Sequence, residues 1–90
     1  MRDEPDDPES LSDLGTCLLG LERVEDAMAS HLRALELDPD HSPAMYGLAR
    51  CFDVMGDAPQ ARSNFERYLG LHDEGESADE ARAWLAANQN

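Results

Sequence analysis

The residues of this chain best able to do chemistry are two cysteines, Cys17 and Cys51, three histidines, His31, His41 and His72, and 20 carboxylates. A nucleophilic site needs a Ser or Cys beside a base, and a general acid–base site needs ionisable groups converging on one point. No such pair can be placed from these spacings. His31 has no second histidine at i+3 or i+4, the spacing that would put two ligands on one helical face, so it reads as a packing residue and not a metal ligand. His41 and His72 fall in loops, and the carboxylates read as solvated faces. The cysteines read as two reduced core residues, since a free Cys behaves as a small buried hydrophobe. The sequence therefore predicts no enzyme, no metal and no cofactor.

Two motifs imitate known chemistry and fail on inspection. Gly15-x4-Gly20 begins like a phosphate loop, but Leu21-Glu22 stands where Lys-Ser/Thr is required, and no strand precedes it. Asp38-x-Asp40-x-Ser42 begins like a calcium loop. Pro43 then occupies the place of the sharp-turn glycine, and Ala49 that of the bidentate glutamate. A turn between helices explains this segment better.

Length and charge narrow the function classes further. Ninety residues allow one domain, with a core burying roughly 60–70% of the unfolded surface. The net charge is -13, which argues against unaided nucleic-acid binding and against anionic membrane surfaces. No apolar run approaches the ~20 residues of a membrane span, and no basic-then-apolar leader opens the chain. The expectation is a soluble, cytoplasmic protein or an excised domain. Nine of the thirteen net negative charges lie in residues 1–9 and 72–80. Residues 1–8, with Pro5 and Pro8, read as an acidic, disordered lead-in.

The elements that must position any site are helices. Apolar residues recur at i, i+3, i+4 and i+7 throughout: Leu11, Leu14, Gly15, Leu18; Ala27, Met28, His31, Ala34, Leu35; Met45, Leu48, Ala49, Phe52; Ala61, Phe65, Tyr68, Leu69; and Ala81, Trp84, Leu85, Asn88. Five helices follow, roughly 9–20, 25–37, 43–55, 59–71 and 77–88. Pro39 and Pro43 bracket one break and Gly56-Asp57-x-Pro59 marks another. Ser77 followed by Glu80 has the form of a capping box. The loop before the fifth helix reads as about two residues longer than its counterpart before the third.

The helices repeat at an offset of 34 residues. Leu11 meets Met45, Leu14 meets Leu48, Gly15 meets Ala49, Cys17 meets Cys51 and Leu18 meets Phe52. Ala27 then meets Ala61, His31 meets Phe65, Leu35 meets Leu69 and Leu37 meets Leu71. Small residues mostly stay small and large ones large over two helices. A 34-residue helix–turn–helix unit of this kind resembles the tetratricopeptide repeat, whose pattern is W-x2-L-G-x2-Y, then A-x3-F, then P. The first unit reads Leu11-x2-Leu14-Gly15-x2-Leu18, Ala27-x3-His31 and Pro39, and the second reads Met45-x2-Leu48-Ala49-x2-Phe52 and Ala61-x3-Phe65. The second departs at its end, where Asp73 replaces the proline, and the first departs at its turn, where Glu22-Arg23 stands for Gly56-Asp57.

The resemblance implies an all-α fold, a right-handed α-α superhelix of five antiparallel helices: repeats at 9–41 and 42–75, then a capping helix within 76–90. Leu14, Leu18, Leu48 and Phe52 would fill the layer within each hairpin. Trp84 and Leu85 would cover the second repeat while Asp79, Glu80, Arg82 and Gln89 face water. Cys17 and Cys51, at equivalent positions on stacked helices roughly 9–10 Å apart, lie beyond the ~7 Å Cα separation of a disulfide.

The resemblance also implies a concave groove lined by the first helix of each repeat. The residues between the buried stripes are Ser12, Thr16 and Leu19 in the first repeat and Tyr46, Arg50 and Asp53 in the second, flanked by Asp13 and Gly47. Tyr46 offers a flat amphipathic contact, Arg50 a forked donor for a carboxylate, and Gly47 room for a backbone. The expected activity is non-catalytic binding of a protein or peptide segment. The alternatives are a structural slice of a longer solenoid and a homodimerisation domain. The chain contains no lysine, and Ser12, Thr16 and Gly47 hold groove positions, which argues against a receptor for acidic chaperone tails. A basic or apolar partner suits the charge better.

Overall fold

A computed structural model describes residues 7–89. Five helices follow one another: α1 (Pro8–Gly20), α2 (Val24–Leu37), α3 (Ser42–Met55), α4 (Ala58–Leu71) and α5 (Glu76–Ala87). Among the described residues the secondary structure is otherwise turns and loops. The acidic lead-in expected over 1–8 lies mostly outside the described residues. Where it is described it is not a lead-in: the Asp7 carboxylate accepts from the Ser10 backbone N–H at 3.1 Å and caps α1, with Pro8 in the first turn. That hydrogen bond holds the Asp7 carboxyl below its ordinary range.

Each break has a local cause. Asp57 caps α4 by accepting from Gln60 N–H, and Pro59 lies in the first turn, where a missing N–H costs nothing. The Asp38 carboxylate accepts from Asp40 N–H at 3.2 Å, which makes the calcium-like segment an inter-repeat turn. The loops 38–41 and 72–75 are equal in length, so the repeat keeps its 34-residue register into α5 and the expected longer loop is corrected. The capping box at Ser77 does not form. Gly75, at φ 105°, starts α5 one residue earlier than expected, and no side chain caps it.

The helices pack as two antiparallel hairpins, α1 with α2 and α3 with α4, joined by α2 against α3 and closed by α5 on α4. The two seams are built differently. Between the hairpins, Ala34 and Ala44 are fully buried, and the His31 ring lies against Gly15 and Gly47. A Cβ on Gly15 would sit 2.6 Å from that ring and one on Gly47 2.3 Å from it. Thus α1, α2 and α3 meet through one imidazole clamped by two glycines. The second seam is aromatic: Phe65, Tyr68 and Tyr46 pack with Trp84 of α5, whose ring lies 5.0 Å from Phe65. Phe65 stands 34 residues after His31, and Ala49 and Ala81 stand 34 after Gly15 and Gly47 in the same buried cluster.

Two packing expectations change. Leu48 is 3% exposed but its counterpart Leu14 is 39% exposed, so the two equivalent leucines are not equally part of the core. Likewise Cys51 is buried and Cys17 exposed, so only one of the two is a core cysteine. Burial pushes the Cys51 thiol up and Arg50 opposes this, which keeps the sulfur protonated at neutral pH. His31, expected as a half-buried packing residue, is a packing residue but completely buried, because Gly15 and Gly47 close on its ring.

Candidate functional site

The groove residues of the sequence reading sit on α1 and α3, but the structure uses them unequally. Ser12 is buried at 3% exposure, and its carbonyl accepts from the Thr16 hydroxyl at 3.1 Å. Gly47 is also buried and offers no room for a backbone, since the His31 ring already fills that space. Tyr46 turns toward α4 and α5. Its ring lies 5.3 Å from Tyr68 and 5.9 Å from Phe65, and its hydroxyl donates to a Glu80 carboxylate oxygen. Burial and then Glu80 push the phenol up to about 12. Glu80 is exposed as expected and, through this bond, also ties α5 back to α3. Trp84 and Leu85 do pack against the second repeat as expected.

Asp13, Thr16, Arg50 and Asp53 remain exposed, with Leu19 half-buried. Arg50 forms no ion pair with a described residue: the ion pairs at Arg23–Asp26, His41–Asp38 and Arg82–Asp79 leave it out, and it does not pair with Asp53. It lies on the wall of a cavity of about 500 Å³ at the C-terminal ends of α1 and α3, lined by Leu19, Glu22, Val24, Arg50 and Val54. Leu19, Val24 and Val54 give it aliphatic walls. Val54, 61% exposed, follows Arg50 by one helical turn.

Three of these residues, Glu22, Val24 and Val54, escaped the sequence reading. Val24 and Val54 lie off the groove rows, at the start of one helix and the end of another, and only the folding of α1 against α2 and α3 gathers them. Glu22 carried a sequence signal, since it stands where the second repeat has Gly56.

A second cavity of about 420 Å³ opens between α2 and α4, lined by Leu32, Leu35, Leu48 and Phe52 with Asn64 and Arg67 among its polar members. It lies apart from the groove residues. Neither cavity brings a nucleophile to a base. Among the described residues, no three of His, Cys, Asp and Glu gather as a metal site would need, and no helix is long and apolar enough to cross a membrane. The chemistry available at the Arg50 cavity is recognition: forked donation to a carboxylate beside an apolar contact.

Comparison with known proteins supports the repeat. Residues 32–63 match the family model of the tetratricopeptide repeat, a stretch running from α2 through α3 into α4 and so across the seam. No curated protein matches the chain in sequence. Among solved structures, the crystal structure of MamA superposes with a TM-score of 0.74 at 19% identity, covering 93% of this chain and 52% of that one. The chain thus spans about half the length of that protein, and the likeness speaks for the fold. The 34-residue period, the stacked hairpins and the match of residues 32–63 to the repeat model together support a tetratricopeptide-repeat assignment, with an all-α helical-repeat fold.

Proposed function

We propose that this chain is a non-catalytic docking module that holds a segment of a partner protein on the face shared by α1 and α3, with Arg50 at its centre. The observation that carries the reading is the aliphatic-walled cavity beside Arg50, an exposed arginine without an ion pair among the described residues. A surface arginine next to apolar walls is the composition of a binding hot spot, where the apolar contact excludes water and the guanidinium fixes orientation. Asp13, Thr16, Leu19 and Asp53 form the rim, and their two carboxylates favour partner segments that also carry basic groups. Ser12, Gly47 and Tyr46 shape the face from beneath by holding α1, α2, α3 and α5 together.

The test is capture of partner proteins by the immobilised chain, wild type against Arg50→Ala. Arg50 is exposed, so truncation should leave the helical signal intact while reducing capture at least about tenfold, the scale of a hot-spot arginine. Unchanged capture removes Arg50 from the site and with it this reading.

A further inference from the structure

Glu22 has a backbone that its residue type does not favour. The α1–α2 and α3–α4 turns share one hydrogen-bond scheme at the repeat offset. Arg23 N–H donates to Leu18 C=O and Glu22 N–H to Leu19 C=O, both at 2.9 Å; Asp57 N–H donates to Phe52 C=O at 2.9 Å and Gly56 N–H to Asp53 C=O at 3.0 Å. This closure needs a left-handed residue just past the helix. The second repeat supplies Gly56 at φ 83°, and the first supplies Glu22 at φ 65°, the one non-glycine residue with positive φ among those described. The first repeat thus carries a carboxylate where glycine would be free of strain. That carboxylate lines the cavity whose other charged member is Arg50.

Glu22 and Arg50 come to this cavity from different elements, a turn and α3, over Leu19, Val24 and Val54. Neither makes an ion pair with the other or with any described residue. A purely apolar occupant would desolvate both charges without pairing either, and an occupant of one sign would pair one and bring like charge to the other. Building on the docking reading above, we propose that this cavity selects a partner segment in which an aliphatic side chain is flanked by a basic group on one side and a carboxylate on the other. The aliphatic chain enters between Leu19, Val24 and Val54. The basic group pairs with Glu22, and the carboxylate takes the Arg50 fork. Backbone strain held at Glu22 is then a cost retained for recognition.

The probes are three acetylated and amidated heptapeptides with a central leucine, flanked by lysine and glutamate, by two lysines, or by two glutamates. Each is titrated into the ¹⁵N-labelled chain. The mixed peptide should give saturable shifts at the amides of Leu19, Val24 and Val54, and should bind about fivefold more tightly than either single-sign peptide. Glu22→Gln should remove its advantage over the two-glutamate peptide, and Arg50→Gln its advantage over the two-lysine peptide. Glu22→Gly should raise the thermal midpoint while weakening the mixed peptide, a combination that a merely structural Glu22 would not show. Equal affinity for all three peptides, absence of saturable shifts, or shifts confined to the α2–α4 cavity would overturn the inference. If that happens while Arg50→Ala still abolishes partner capture, the docking reading survives and only the mixed-charge selectivity falls.

Discussion

His31 makes the stability of this chain depend on pH in a calculable way. Its ring is completely buried between Gly15 and Gly47, and neither ring nitrogen has a hydrogen-bond partner. Burial, with smaller contributions from His41 and Arg50, pushes it down from 6.5 to about 4. In the unfolded chain the same imidazole takes a proton near 6.5. Above that pH both states are neutral and the linkage costs nothing. Below it the unfolded chain binds a proton that the folded chain refuses, so stability falls by about 1.4 kcal/mol per pH unit until the buried ring itself protonates. The loss amounts to about 3 kcal/mol between the unfolded value and about pH 4, a large fraction of what a small domain possesses. Carboxylate titrations overlie this, but they cancel in a comparison with His31→Phe. Phenylalanine is what the second repeat carries at that place, as Phe65. Urea unfolding followed by far-UV circular dichroism, at several values from about pH 7.5 to 4, gives the difference in unfolding free energy between the two proteins. That difference should grow in favour of His31→Phe by about 3 kcal/mol as the pH falls. Its value at neutral pH mixes the gain from removing unpaired nitrogens with the crowding of a wider ring, so the pH dependence is the test. A difference that stays flat within about 0.5 kcal/mol would show that the ring protonates freely in the folded state, and would refute the closed seam.

The same clamp predicts that Gly47→Ala and Gly15→Ala each destabilise the fold by about 1–3 kcal/mol in urea unfolding, since the new methyl would overlap the His31 ring. In a double-mutant cycle, His31→Ala should relieve most of the Gly47→Ala penalty. Gly20→Ala meets no atom within 4 Å, and should stabilise by about 0.5–1 kcal/mol. Glu22→Gly should stabilise by roughly 0.5–1 kcal/mol, because release of left-handed strain exceeds the added unfolded-state entropy. Tyr46→Phe removes the hydroxyl that donates to Glu80, and should cost about 1 kcal/mol. Hydrogen exchange should then quicken in α5 before the rest of the chain.

The helices and their register were legible in the sequence because both are local. Apolar spacing within a window reports which face a helix buries, and the 34-residue offset aligns small with small and large with large. The five expected helices match the observed ones to within a residue at either end. The turn chemistry was legible where one residue decides it, as at Pro59 and Gly56, and misled at Ser77, because a capping box is visible as spacing alone whereas Gly75 decides where α5 begins.

The groove was less legible, for a physical reason. A repeat offset assigns Ser12, Tyr46 and Glu80 to one row, and Asp13, Gly47 and Ala81 to another, but the environment of each position depends on its neighbours in the adjoining helices. Gly47 is covered because a histidine of α2, the helix before it, fills the gap it leaves. Tyr46 is drawn away because α5 brings Glu80 to its hydroxyl and α4 brings Phe65 and Tyr68 to its ring. Leu14 and Leu48, or Cys17 and Cys51, are alike in sequence and opposite in burial. Sequence determined that this chain is a two-repeat helical stack with a closing helix. Only tertiary structure decided which equivalent residues are core and which are surface, and gathered Leu19, Glu22, Val24, Arg50 and Val54, drawn from two helices and the turn and helix start between them, around one cavity.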